Sequence, residues 1–363
     1  LWVHRWGSVE VTKQRFWRIA AIALSCAVIL VLFAGIATDP AAQPTDAGSV
    51  AHRLKHGFRN LDPTYSYSML GRVGRLVGRF GQPSLPRGTP LALVTNDGVA
   101  IRANGTEATA TWVGHSTFLI QLDGVNILTD PHWGKRASPV SFVGPRRMIA
   151  PGLRFDDLPP IHAVIVSHDH YDHLDHDTIR RIAGAHDAVF IVPLGLRSRL
   201  ADMGARKVIE LDWWDSTTVS TVTFVCTPAQ HSSGRTLTDE NKRLWSSWAV
   251  LGPHKRFFFA GDTGYFAGLR DIGARLGPFE LALVPIGGYS SFATRHPNHV
   301  NPEEAVQLFE DVGGERLVPM HWGTFNMNVE PFAEPPGRLV REAGRRGLDA
   351  RVTILTPGAT LHW

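Results

Sequence analysis

Ser167-His168-Asp169-His170-Tyr171-Asp172-His173 follows directly on the largely apolar run Ile161 to Val166. A strand that ends in such a loop projects His168, His170, Asp172 and His173 outward together, so one face can hold a metal. Imidazole and carboxylate donors suit zinc and similar divalent cations. Four such donors are too many for one metal that must also bind water, so two adjacent metals are the simpler reading. Two-metal sites typically carry out hydrolysis.

The remaining donors are expected further along, each at the end of another strand. His231 follows the β-rich run Val222 to Cys226 and the turn Thr227-Pro228. Asp262 follows Phe257 to Gly261, and His321 follows Leu317 to Met320. A rigid sheet edge fixes a side chain in all three positions. A lone histidine at a strand end is usually an ordinary polar residue; beside the 168–173 cluster, convergence on one centre is the better expectation.

The pattern His168-x-His170-x-Asp172-His173, with His231, Asp262 and His321 in that order, resembles the metallo-β-lactamase superfamily. Within it the chain is similar to the N-acylphosphatidylethanolamine-hydrolysing phospholipase D group. The stretches that carry this likeness include Thr111 to Thr117, Leu128 to Pro131, Arg136 to Pro139, Glu210 to Trp214, Asp239 to Lys242, Arg256 to Tyr265, Pro302 to Ala305 and His321 to Phe325. It runs from about residue 52 to the C-terminus. The resemblance implies a four-layer αβ/βα sandwich. It implies that His168, His170 and His231 hold one zinc, that Asp172, His173 and His321 hold a second, and that Asp262 bridges them. Asp172, Asp262 and His299 would then be the catalytic residues. The pair Asn298-His299 stands where the phospholipase group carries Gln-His beside the acyl amide, which makes both candidate substrate-binding residues. Asp130 and His115 are candidates to hydrogen-bond the ligands from behind. The donor set alone also accepts iron or manganese.

Asp262 separates close relatives. The zinc β-lactamases typically carry cysteine there, whereas the esterases and phosphodiesterases of the superfamily carry aspartate. Opening of a β-lactam ring is therefore not the expected reaction, and the resemblance to the phospholipase group implies hydrolysis of an N-acylphosphatidylethanolamine-like phospholipid to N-acylethanolamine and phosphatidic acid. The alternatives are hydrolysis of another small ester, such as a lactone or sugar phosphate, and a non-catalytic metal-binding envelope protein.

With 363 residues, 44% of them hydrophobic, the chain can bury one large core or two smaller ones. Its 2 cysteines, Cys26 and Cys226, are not expected to pair. Residues 51 to 90 carry seven arginines and lysines against Asp62, a net +6. Residues 1 to 50 are near +1; with the whole chain at +4, residues 91 to 363 are about −3. A basic arm on a non-basic core fits an anionic membrane surface and argues against nucleic acid.

Ile19 to Ala37 is a run of 19 uncharged residues preceded by Lys13, Arg15 and Arg18. It reads either as an anchor with the catalytic domain outside the cytoplasm or as a long signal peptide ending at Gly35-Ile36-Ala37. Without it, a peripheral protein on the cytoplasmic face of the membrane is expected. The domain plan is thus a basic flank at 1–18, a transmembrane or signal segment at 19–37, a linker and basic arm at 38–90, and the catalytic domain at 91–363. Within the arm, Met69, Leu70, Val73, Leu76, Val77 and Phe80 recur at helical spacing with Arg72, Arg75 and Arg79 on another face, a pattern for lipid or for the catalytic core. Trp213 and Trp214 read as core before acyl channel, and Arg146 and Arg147 as solvated before phosphate-binding.

Overall fold

This computed structural model describes residues 51–62, 91–236, 238–289, 297–325, 327 and 330–363. The segments assigned at 1–18 and 19–37, and most of 38–90 with its amphipathic pattern, lie outside the described residues. Residues Val50–Trp363 make one compact unit. Among the described residues, no helix is long and apolar enough to cross a membrane.

Two sheets face each other. The first has seven strands in the order β15-β3-β4-β5-β6-β7-β8, from β3 (Thr109–Gly114), β4 (Thr117–Leu122), β5 (Val125–Thr129), β6 (Ala163–Ile165), β7 (Val189–Pro193), β8 (Val208–Leu211) and β15 (Thr360–His362). The second runs β14-β13-β12-β11-β10-β9, from β9 (Ser216–Val219), β10 (Val222–Thr227), β11 (Ser247–Leu251), β12 (Arg256–Phe259), β13 (Leu281–Pro285) and β14 (Leu317–Met320). Each sheet is antiparallel on one flank and parallel on the other: β5, β6, β7 and β8 run parallel in the first, β12, β13 and β14 in the second. A small hairpin, β1 (Arg53–Leu54) with β2 (Gly57–Phe58), stands apart from both.

The two-residue period of strand side chains sets the layers. Phe118, Ile120 and Leu122 of β4 point toward the second sheet and pack with Phe224, Trp248, Phe257 and Phe259. Leu119, between them, points the other way. There it meets Val164, Phe190, Ile179 and Ile182 in a second core. That outer core lies under helices α1 (Val99–Ala103), α2 (His176–Ala185) and α3 (Arg197–Asp202). Helices α4 (Gly268–Leu276), α5 (Pro302–Asp311) and α6 (Glu334–Arg345) bring Leu269, Ile272, Val306, Phe309 and Leu339 to the other cluster. Helix, sheet, sheet, helix is the expected αβ/βα sandwich.

Helix α5 starts where its sequence says it must. Asn301 caps it, accepting a bond from the Glu304 N–H, while the Glu304 carboxylate accepts from the Asn301 N–H, and Pro302 occupies the first turn. Trp213 is core, as expected: it is buried, and its indole N–H donates to the Trp245 carbonyl. Arg147 departs from the solvated reading. Its guanidinium lies over the Phe325 ring and donates to the carbonyls of His132 and Gly134, and burial lowers its pKa to about 10.

Candidate metal centre

Strand ends build the site, the parallel β5, β6, β12 and β14 together with β10, which runs antiparallel to its neighbours; open α/β sheets leave their crevice at the carboxyl ends of the strands. From the first sheet, β5 delivers Asp130 and β6 delivers 167–173. From the second, His231 follows β10, Asp262 follows β12 and His321 follows β14. His115 and His321 hold left-handed backbones, with φ of 54° and 58°, and Asp130 has φ 34°. Non-glycine residues in that region are strained, and they persist where the surroundings fix a side chain in place.

The seven residues singled out in the sequence come together, all but His170 buried. His168 Nε2 lies 2.8 Å from His170 Nδ1, and His231 Nε2 lies 3.2 Å from the same atom. On the other side, His173 Nε2 lies 3.2 Å and His321 Nε2 3.4 Å from Asp172 Oδ2. Asp262 stands between the two groups. Its Oδ2 is 3.1 Å from both His173 Nε2 and His321 Nε2, and 3.8 Å from His231 Nε2.

The donor set fits cations. Three imidazole nitrogens converge in the first group, and in the second His115, Asp172, His173 and His321 each present one donor atom within 4.8 Å of the others. Asp262 Oδ1 is buried without a hydrogen-bond partner. Buried polar atoms are rarely left so, and a cation meets that need.

The protonation pattern divides along the same line. Burial, with the neighbouring charge of His231, lowers the His170 pKa to about 3; burial, with His173, holds His168 well below its ordinary value. His173 and His321 go the other way. Burial pushes each down, but the carboxylates of Asp262 and Asp172 outweigh it, raising His321 to about 9 and His173 well above its ordinary value. Burial likewise opposes ionisation of Asp172 and Asp262, yet the adjacent imidazoles hold both well below the carboxylate range.

Behind the donors lies a supporting layer. Asp130 takes the Ser167 N–H at 2.7 Å and its hydroxyl at 2.6 Å, and its Oδ2 lies 2.6 Å from His173 Nδ1. His115 Nε2 meets Asp172 Oδ2 at 3.0 Å, and burial together with His321 lowers the His115 pKa to about 3. The His115 N–H is itself held by Thr324 Oγ1 at 2.6 Å.

His299 reaches this centre, with Nδ1 3.8 Å from Asp262 Oδ2 and a side chain 13% exposed. Gly288 makes room: a Cβ there would stand 2.9 Å from His299 Nδ1, and its φ of 84° suits glycine. Asn298, the other candidate substrate-binding residue, lies beside His231. It is buried, its side-chain amide faces Ser232 Oγ at 3.5 Å, and its backbone carbonyl lies 3.0 Å from His231 Nδ1.

Asn60 escaped the sequence reading. Its amide donates to the His231 carbonyl at 2.8 Å, and its Oδ1 accepts the His231 N–H at 3.0 Å. The described part of the arm is thereby stitched to a candidate ligand. No pattern marks a lone asparagine 171 residues away.

A sandwich of this topology, with imidazoles and carboxylates gathered at its strand ends, defines a class of metal-dependent hydrolases. A family model described as a beta-lactamase superfamily domain matches residues 125–322, over half of the chain. The chain belongs to the metallo-β-lactamase superfamily. It is 41% identical over 350 residues to an uncharacterized protein of Mycobacterium tuberculosis, covering 91% of each chain. It is 43% identical over 242 residues to N-acyl-phosphatidylethanolamine-hydrolyzing phospholipase D 1 of Caenorhabditis elegans, covering 63% of this chain and 68% of that one. Among solved structures it resembles Igni18, a metallo hydrolase of Ignicoccus hospitalis, with a TM-score of 0.54 and 26% identity, covering 71% of this chain and 99% of that one.

Proposed function

We propose that this metal-dependent hydrolase cleaves the phosphodiester of N-acylphosphatidylethanolamine-like phospholipids, using two zinc ions. The observation that carries the reading is the position of Asp262, its Oδ2 within 3.8 Å of nitrogens from both donor groups. A carboxylate so placed suits a bridge between paired cations. His168, His170 and His231 would hold one and Asp172, His173 and His321 the other. When bound, such a pair supplies Lewis acidity and lowers the pKa of water. The chain's own residues do the rest. Asp130 and His115 fix the orientation of His173 and Asp172, and the Asn298 carbonyl fixes that of His231. His299 is the partly exposed group beside the centre and orients the substrate. Water adds to phosphorus, the bond to the ethanolamine oxygen breaks, and N-acylethanolamine and phosphatidic acid result.

The choice of lipid is supported by the 43% identity to the nematode phospholipase over 242 residues. Metal analysis of the purified chain, paired with N-acylphosphatidylethanolamine hydrolysis with and without chelator, tests it. About two zincs per chain and chelator-sensitive release of N-acylethanolamine are expected. Metal without lipid turnover would move the substrate to a soluble phosphodiester or lactone.

A further inference from the structure

The segment 131–155 holds Lys135, Arg136, Arg146, Arg147 and Arg154 and no carboxylate. Its centre, Ser138-Pro139-Val140-Ser141-Phe142-Val143-Gly144-Pro145, bears large apolar side chains pointed at solvent. Phe142 is 80% exposed and Val143 57%, with Met148 at 41% and Val140 at 37% beside them. Single exposed apolar residues need no explanation; a run of four on one loop does.

The loop is built rather than slack. Arg136 pairs with Arg146 across its base, the Ala137 N–H donates to the Pro145 carbonyl at 3.0 Å, and the Arg136 guanidinium reaches the carbonyls of Ser141 and Gly144 at 3.0 and 2.6 Å. Its root is tied to the chain that follows His321. Arg147 bridges to Phe325, and the Met148 N–H donates to the Thr324 carbonyl at 2.7 Å. Phe325 in turn lies 5.1 Å, ring to ring, from His115. A tip that shows aromatic and aliphatic groups above Lys135 and Arg146, both exposed, has the composition of an interfacial anchor: apolar groups enter the lipid boundary and cations meet anionic headgroups.

We infer that the 138–148 loop is a lipid-docking surface that inserts Phe142 and Val143 into an anionic bilayer and so presents the candidate site to substrate in the membrane. The choice of lipid as occupant rests on the phospholipid reading above; Lys135 and Arg146, exposed at the loop's base with no acid between residues 131 and 155, favour an anionic surface over a second copy of the same basic loop.

A nitroxide at Phe142→Cys in the full chain, with Cys26→Ser, tests this; Cys226 is buried and stays unlabelled. A control label goes at His254→Cys, 82% exposed in the turn before β12 and so at the opposite strand end from Asp262. On vesicles of phosphatidylethanolamine and phosphatidylglycerol, the label at 142 should lose access to a water-soluble relaxant and gain access to oxygen, while the label at 254 stays aqueous. Phe142→Asp should cut turnover of vesicle-borne substrate about 10-fold or more. A label at 142 that stays as aqueous as the control, whether or not the chain binds vesicles, overturns the inference. Dipolar broadening at 142 without lipid would replace it with self-association. Hydrolysis of bis(4-nitrophenyl) phosphate by the unaltered chain reports on the hydrolase reading separately, since no bilayer is involved.

Discussion

The two halves of the centre are built by different means. The first sheet delivers four candidate ligands from one loop, and side chains hold that loop. Asp130 alone bonds the Ser167 N–H, the Ser167 hydroxyl and the His173 ring. The second sheet delivers His231, Asp262 and His321 singly, from three strands, and backbone carbonyls hold the two histidines. The His231 ring lies against the Asn298 carbonyl, and the His321 N–H donates to the His115 carbonyl at 3.2 Å. Local sequence sets the precision of the first half. The register of β10 through β14 sets that of the second.

The largest effects should come where the halves meet. Asp262→Asn removes the carboxylate charge shared by both groups, so it should empty both positions and abolish turnover. His170→Ala and Asp172→Ala each remove a donor from one group and should lose metal and turnover together. Metal counts per chain separate these outcomes. Unchanged metal content in His170→Ala or Asp172→Ala would show the ligand assignment to be wrong.

Intermediate effects should fall unequally on the supports. Asp130→Asn breaks a side-chain support of the first half, and metal affinity measured against a competing chelator should drop about 10- to 100-fold. Asn298→Ala keeps the carbonyl that faces His231, so its loss of affinity should stay under about 10-fold. Equal losses would erase the distinction between side-chain and backbone support.

The same distinction governs what could be read in advance. The first half is a contiguous motif, so its donors and the strand before them are visible in one line of sequence. His231, Asp262 and His321 are visible because each closes an apolar strand, a pattern with period and end. Supports made by backbone carbonyls carry no residue signature, which is why the hold of the Asn298 carbonyl on the His231 ring cannot be read from the sequence. Strands β5 and β13 match their apolar runs at Val125–Thr129 and Leu281–Pro285. Helix α4 goes unread because Gly268 and Gly273 mask its pattern. At Gly273 a Cβ would meet the Asp311 carbonyl at 2.2 Å, so close packing against the end of α5 demands the residue that hides the helix.

The smallest expected effect lies at the hairpin β1–β2, which extends the backbone-held half outward. Asp212 receives the Arg53 guanidinium, with Nε at 2.7 Å, and lies 2.6 Å from the buried His52 Nε2. Trp213 packs on the His52 ring at 4.2 Å. From this anchored segment Asn60 reaches the His231 backbone. Burial raises the Asp212 pKa, but the bonds from His52 and Arg53 outweigh it and leave it depressed. A carboxyl depressed in the folded state stabilises the fold above its unfolded pKa, about 3.9, and loses that contribution as pH falls through the folded value. Amide protection at 52–60, taken relative to the intrinsic exchange rate, should therefore be high at pH 7 and fall in acid below about pH 4, before the strands of either sheet open. Asp212→Ala should cost about 1–3 kcal/mol in urea unfolding, mostly by orphaning His52, because Arg53 is half exposed and its pair is screened. The variant should show the low protection already at pH 7 while the 167–173 loop stays protected. Loss of protection at 167–173 as well would mean that the two halves are held as one unit.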